Sequence, residues 1–298
     1  MAGMRSRLLA RLGRYREFMW LRVRAMRLAM PAYMAYLRLR SRRPATFTEK
    51  VRYRIARDRR PMLTAFADKL EARRYVARTV GPEHVPEVLS AANRTAELEW
   101  SELPEEMAVK TNHGSGSCVV IWNGADPAGC IPEATVVNAW QSAVIRPSAA
   151  DPERLAAFLD MNLKLNYSWM FGEWAYQDIR PQVFAEEYLA GDEGSAPVDY
   201  KFYVFDGRCE AVLAMAGDPT ATRSGAFFLP DWTPLDALPA HLRRASPLPE
   251  RPPELPAMLE IANRLATDSD FLRVDLLLCR GRILVGELTN YPNAGRVS

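Results

Sequence analysis

The chain has 298 residues, 48% of them hydrophobic and 25% charged, with 39 Lys and Arg against 36 Asp and Glu for a formal net charge of +3. This is the composition of a soluble globular protein, long enough for two or three modest domains with a buried core. No apolar run supplies the about 20 residues that a membrane span needs, because the best candidate, Phe18 to Leu37, is interrupted by Arg22, Arg24 and Arg27. Arginines also recur where a signal peptide has its apolar region. Cys118, Cys130, Cys209 and Cys279 lie far apart, with no CxxC and no His cluster. A disulfide framework or a zinc site is therefore not expected, and a reducing cytoplasm fits.

The charge is unevenly distributed. Residues 1–43 carry twelve arginines against one acid, Glu17, so the remainder of the chain is net acidic. Basic charge confined to one end points to a local anionic partner and not to a nucleic-acid surface, and no nucleic-acid reading module accompanies it. Within that segment Leu8, Leu12, Tyr15, Met19, Val23, Met26 and Met30 follow a 4-3-4-4-3-4 spacing. This is the single apolar stripe of a basic amphipathic helix, expected to kink or end at Pro31. Such a helix either packs on its own protein or lies on an anionic membrane surface or membrane-bound partner.

Residues 44–106 read as a mostly helical region, with helices over Thr64–Val80 and Val85–Glu97 and no strand. From Met107 short strands take over, Met107–Thr111 and Cys118–Trp122, flanking Asn112-His113-Gly114-Ser115-Gly116-Ser117. A helix starts at Asp151, a good N-cap followed by Pro152, and runs to about Lys164. Gln182–Leu189 reads as a strand, and Asp206-Gly207 joins Asp199–Phe205 to Cys209–Met215 in a hairpin. A proline-rich connection over 229–256 precedes a helix over 254–268 and a last hairpin, Phe271–Cys279 with Ile283–Asn290, around Arg280-Gly281.

Three groups of residues carry chemistry. The glycine loop lacks the spacing of a Walker A or Rossmann loop. A strand–glycine loop–strand can instead fold its backbone N–H groups over phosphates as a flap, with Lys110 neutralising them, or be a surface hairpin. In the last hairpin Arg273 and Asp275 alternate on one strand, Glu287 and Thr289 on the next. If Asp275 lies opposite Glu287, Arg273 faces Thr289 and all four project from one surface, while Val274, Leu276, Leu278, Leu284 and Leu288 form an apolar face. Two converging carboxylates suit Mg²⁺, and the arginine beside them suits a transferring phosphate; otherwise they form a salt-bridge ladder. A one-residue slip would put Glu287 on the wrong face. Third, Glu186-Glu187-Tyr188-Leu189 closes an apolar strand, and Lys201 stands within the aromatic strand Asp199-Tyr200-Lys201-Phe202. Lysine occurs at five positions only, including 69, 110 and 201, in a chain that otherwise uses arginine.

In order, Asp68-Lys69, Val109 to Gly116, Glu186 to Leu189, Asp199 to Phe202, Arg273-Val274-Asp275 and Gly286 to Thr289 resemble the ATP-grasp superfamily, within it the TupA-like branch of teichuronopeptide and cell-surface polysaccharide biosynthesis. The resemblance runs from about Phe47 to Gly295. It implies an α+β ATP-grasp fold with a glycine-rich flap, preceded by the basic amphipathic N-terminal helix. Residues 1–43 would be that helix, 44–106 the helical region, 107–185 the lid subdomain and 186–298 the C-terminal subdomain with the metal site.

The implied cofactors are ATP and Mg²⁺. Lys69 and Lys110 would assist nucleotide binding, with His113, Gly114, Ser115, Gly116 and Ser117 as the mobile flap. Glu186, Glu187, Tyr188 and Leu189 would line the adenine and ribose site, Asp199 would take the ribose, and Lys201 would reach phosphate. Asp275, Glu287 and Thr289 would hold Mg²⁺, and Arg273 would stabilise the acyl-phosphate transition state. Thr289 departs from the Asn that many members place two residues after the metal-binding Glu. The implied activity is an ATP-dependent, ADP-forming carboxylate–amine ligase; the expected location is cytoplasmic, and peripheral on the inner membrane face if the N-terminal helix lies on the membrane. The alternatives are a kinase acting on a sugar hydroxyl and a non-catalytic nucleotide-binding scaffold.

Overall fold

The computed structural model describes residues 24–25, 27–135, 141–191, 197–216, 224–238 and 242–295. The N-terminal apolar stripe from Leu8 to Met26 lies outside the described residues. Helix α1, described over residues 27–40, continues through Pro31. The expected end at Pro31 is thus corrected: proline removes one backbone hydrogen bond, and the flanking turns carry the helix past it. Among the described residues no helix is long and apolar enough to cross a membrane.

The chain divides into two compact units, residues 1–59 with 89–185 and residues 60–88 with 186–298. In the first, α2 (Phe47–Arg57) begins in a capping box: Thr46 accepts from the Glu49 N–H, and Glu49 accepts from the Thr46 N–H. Its sheet runs β1-β5-β2-β3-β4, made of Val88–Ala92, Val183–Glu187, Met107–Thr111, Cys118–Ile121 and Ala143–Ile145. Helix α5 (Pro152–Leu163), capped by Asp151 with Pro152 at its first position as its sequence predicts, packs Leu155, Phe158 and Leu159 against Val109, Val119, Ile121, Ile145 and Val183. Phe158 is fully buried, so Phe158→Ala would cost about 3–5 kcal/mol. The short α6 (Tyr167–Phe171) follows.

The helix expected over Val85–Glu97 is a finding against the sequence reading. Val88–Ala92 is strand β1, and Thr95–Glu97 is one turn of 3₁₀ helix. Its apolar run is too short for periodicity to separate helix from strand, and pairing with β5 decides. The helix expected over Thr64–Val80 breaks at Asp68. There α3 (Pro61–Ala67) ends, and the Asp68 carboxylate accepts from the N–H groups of Leu70 and Glu71 to start α4 (Lys69–Thr79).

The second unit is built on a seven-stranded sheet, β10-β8-β7-β6-β11-β12 with β9 on β8. These strands are β6 (Val198–Phe205), β7 (Arg208–Ala216), β8 (Ser224–Phe228), β9 (Pro234–Leu235), β10 (Arg243–Arg244), β11 (Phe271–Cys279) and β12 (Arg282–Thr289). β9 and β10 are the regular parts of the proline-rich connection. Both predicted hairpins form, and their two-residue turns sit in left-handed backbone at Asp206-Gly207 and Arg280-Gly281, the geometry that matches strand twist. One sheet face packs Phe202, Val204, Leu272, Val274 and Leu288 against α7 (Leu255–Leu265) and against Phe66 and Val76 of α3 and α4.

Candidate functional site

The opposite face of β6, β11 and β12 is charged. Asp275 pairs in register with Glu287 on one side and with Lys201 on the other, while Arg273 pairs with Thr289. The Lys201 Nζ donates to Asp275 Oδ2 at 2.9 Å and to Asp199 Oδ2 at 2.6 Å. Arg273 grips Asp275 with Nε to Oδ1 at 2.6 Å and Nη2 to Oδ2 at 2.7 Å. The same Nη2 donates to Thr289 Oγ1 at 2.9 Å and lies 3.7 Å from Glu287 Oε2. Asp199, Lys201, Arg273, Asp275, Glu287 and Thr289 therefore share one surface, as strand alternation requires.

A bulge sets this register. Below it Leu276 pairs with Val285, above it Asp275 pairs with Glu287, and Gly286 is left over on β12. Counted from the turn alone, Glu287 would fall opposite Val274 on the apolar face. Absorbing Gly286 returns it to the side of Asp275, and a bulge commonly re-aims a side chain in this way.

Electrostatics separates the acids. Burial pushes the Asp275 carboxyl upward, and Arg273 and Lys201 more than offset it, holding it below the ordinary carboxylate range. Burial raises Asp199; Lys201 opposes the rise and Asp275 adds to it. Lys201 is held above its ordinary value: burial lowers it, but Asp275 and Asp199 outweigh the burial. The raised acid is thus Asp199, while the two cations beside Asp275 hold it down although it faces Glu287. Among the described residues the buried Asp199 Oδ1 has no hydrogen-bond partner, an acceptor open to a hydroxyl or a cation.

Among the described residues no three His, Cys, Asp or Glu side chains form a metal cluster. Mg²⁺ that arrives with nucleotide phosphates needs only one or two protein carboxylates. Asp275 and Glu287, facing each other with the Thr289 hydroxyl beside them, fit that requirement once Arg273 or Lys201 turns toward phosphate.

Glu186 and Glu187 are both engaged in ion pairs. Glu186 Oε2 accepts from Arg73 Nη1 of α4 at 2.7 Å in a largely buried pair. Glu187 takes Arg282 through both oxygens at 3.1 Å and accepts from the Glu87 N–H at 2.9 Å, while the Glu187 N–H donates to the Glu87 carbonyl. Tyr188 and Leu189 follow, both half-buried. Arg73, Arg282 and Glu87 went unread in the sequence, where the adjacent acids were the one sign that cations must be near.

In the first unit Lys110 Nζ lies 5.5 Å from the centroid of Phe184. β2 and β3 flank the loop as predicted, antiparallel from Lys110↔Cys118 outward. The loop root is fixed: Asn112 accepts from the Gln182 N–H at 2.8 Å and donates through Nδ2 to the Arg180 carbonyl. His113 is buried, its Nε2 donating to the Leu165 carbonyl at 2.9 Å. Ser117 is buried in left-handed backbone after Gly116. Ser115 and Gly116 form a half-buried tip. Lys69 opens α4 directly after its Asp68 cap.

Residues 49–298 match the family described as TupA-like ATPgrasp. No curated protein matches the chain. Among solved structures it is similar to a D-alanine–D-alanine ligase from Bacillus anthracis, at 16% identity and TM-score 0.41, over 77% of this chain and 59% of that one. It is also similar to the ATP-grasp ligase PsnB complexed with minimal precursor, at 13% identity and TM-score 0.40, over 78% and 54%. A D-alanine–D-alanine ligase from Helicobacter pylori gives 11% and 0.39, over 78% and 53%. The chain spans a little over half the length of these proteins.

Proposed function

This chain belongs to the TupA-like ATP-grasp family and has its mixed α+β fold, and on that premise we propose that it is an ATP-dependent, ADP-forming carboxylate–amine ligase. The observation that carries the reading is the charged face of β6, β11 and β12. Two cations and three acids stand there in a register held by the Gly286 bulge.

In the proposed reaction a substrate carboxylate oxygen attacks the γ-phosphorus of ATP, and ADP leaves with the electrons of the broken bond. An amine then attacks the acyl carbon, phosphate departs, and the amine proton is lost. Lys201 and Arg273 are placed to neutralise phosphate oxygens as charge shifts toward the leaving group. Asp275, Glu287 and Thr289 would hold Mg²⁺, which supplies Lewis acidity and charge neutralisation when bound. Asp199 Oδ1 would accept a ribose hydroxyl. Tyr188 and Leu189 would take the base through backbone, with Glu186 and Glu187 fixed beneath them by Arg73 and Arg282. Lys110, Lys69 and the 113–117 loop would add phosphate contacts. We assign residues 107–185 to the lid subdomain and 186–298 to the C-terminal subdomain.

The substrates fit cell-surface polysaccharide assembly, a uronate or amino acid with an amine on a small molecule or glycan. The arginines of residues 1–43 would bring such an enzyme to the inner face of an anionic membrane. Mass spectrometry of products from ATP, candidate uronates or amino acids, and amines tests the reading. An amide with one ADP per bond supports it. A phosphorylated hydroxyl would make the protein a kinase, and bound nucleotide without turnover would make it a scaffold.

A further inference from the structure

Helix α1 is apolar on two opposite sides. Its inward side packs on the first unit. Leu37 is buried, and Tyr33 and Met30 lie against Gly172 at the end of α6, where a Cβ would come within 3.1 and 3.4 Å of them. Arg38 Nε donates to the Ala56 carbonyl at 3.3 Å, Arg57 Nη2 donates back to the Arg38 carbonyl at 2.9 Å, and the Arg27 guanidinium sits 4.3 Å over Trp169. Among the described residues the outward side has no such cover: Leu28 is 82% exposed, Leu39 62% and Tyr36 54%. With the exposed Ala32 and Ala35 they form one stripe at helical spacing.

Charge brackets that stripe. Residues 24–43 contain Arg24, Arg27, Arg38, Arg40, Arg42 and Arg43, all exposed, and no acid. Glu49, which feels Arg40, is occupied in capping α2. We propose that the outward face of α1 docks on an anionic lipid surface while its inward face stays packed on its own unit. An anionic bilayer offers both things the face lacks, an apolar layer for Leu28, Tyr36 and Leu39 and negative headgroups for the flanking guanidinium groups. A second copy docked by the same face would set these arginines against their own kind. This deepens the membrane placement in the proposed function: α1 is both a packed helix and a lipid-facing one, and need not unfold from the protein to bind.

The test is sedimentation of the full chain with vesicles of phosphatidylcholine, alone or mixed with equal phosphatidylserine, without nucleotide. Binding to the mixed vesicles, falling with salt, is expected. Leu28→Glu with Leu39→Glu should weaken it about tenfold or more, and Arg40→Gln with Arg42→Gln and Arg43→Gln should remove the preference for phosphatidylserine. Circular dichroism and nucleotide affinity should not change, since these positions are exposed. Equal sedimentation of the Leu28/Leu39 variant, equal binding to both vesicle types, or loss of a solution dimer in that variant each overturns the proposal. Ligase turnover is read separately in vesicle-free solution, so failure there leaves the docking result standing.

Discussion

Lys201 on β6 and Asp275 on β11 face one another across the sheet, ammonium to carboxylate at 2.9 Å, and Asp199 holds the same ammonium from the other side at 2.6 Å. Lys201 is thus placed by two acids before any phosphate arrives. Lys201→Met should weaken nucleotide binding by roughly 10- to 100-fold, the worth of one charge-assisted hydrogen bond. Lys201→Arg should retain much of the affinity. Calorimetric titration with ATP measures both, and unchanged affinity in the methionine variant would remove Lys201 from the phosphate site.

Asp275 and Glu287 should behave differently when neutralised. Asp275 is buried between two cations, so Asp275→Asn leaves Lys201 with Asp199 alone and Arg273 with only the more distant Glu287, and should destabilise the fold by about 3 kcal/mol or more. Glu287 keeps a third of its side chain in solvent, and Glu287→Gln should stay within about 1 kcal/mol. Glu287→Gln is therefore the cleaner probe of Mg²⁺-dependent turnover. Urea melts of both variants check the stability contrast, and full activity in Glu287→Gln would end the metal assignment.

Asp275 and Asp199 give opposite pH dependences. Asp275 lies below its unfolded value, so it contributes stability above that value and loses it as pH falls through the folded one. Asp199 lies above its unfolded value. Between the two, the folded state binds the extra proton, and stability declines as pH rises. Asp199→Asn should remove that decline, so its stability relative to wild type should improve from acidic to neutral pH. Denaturant midpoints at several pH values decide it; a relative loss with rising pH contradicts the assignment.

The bulge makes a prediction about length. Deleting Gly286 should close the ladder with Asp275 still opposite Glu287, and nucleotide binding should survive. Inserting one alanine after Gly286, counted from the turn, should carry Glu287 one pair past Asp275 to a place opposite Arg273, so the two carboxylates part. Both variants should fold, and ATP titration with Mg²⁺ should differ sharply between them. Equal behaviour would show that the bulge does not set the site.

Most of the strand framework was legible because its signals are local. Asp206-Gly207 and Arg280-Gly281 specify two-residue turns, and Asp151-Pro152 specifies a helix start. The alternation of Arg273, Asp275, Glu287 and Thr289 was legible as well, but not the reason it works. A lone glycine within a strand hints at a bulge without saying which neighbour will be re-aimed. Strand β1 was hidden because the five residues Val88–Ala92 are too short a run to announce a period, and its identity comes from β5, far away in sequence. Arg73 and Arg282 were hidden for the same reason: nothing near them in sequence names Glu186 or Glu187.

The order in which the chain is made matters for the second unit. Residues 60–88 supply α3 and α4, whose Phe66 and Val76 cover the seven-stranded sheet, but that sheet begins only after residues 89–185 have been added. At about 5–20 residues per second this leaves the two helices waiting roughly 5–20 s before the sheet begins and roughly 10–40 s before β12 is made, with their apolar sides uncovered. A fragment starting at residue 186 would have the opposite defect, a sheet without its cover. During synthesis α3 and α4 are therefore the segment most in need of a chaperone, and pulse proteolysis of stalled nascent chains would find them cleavable until β11 and β12 emerge.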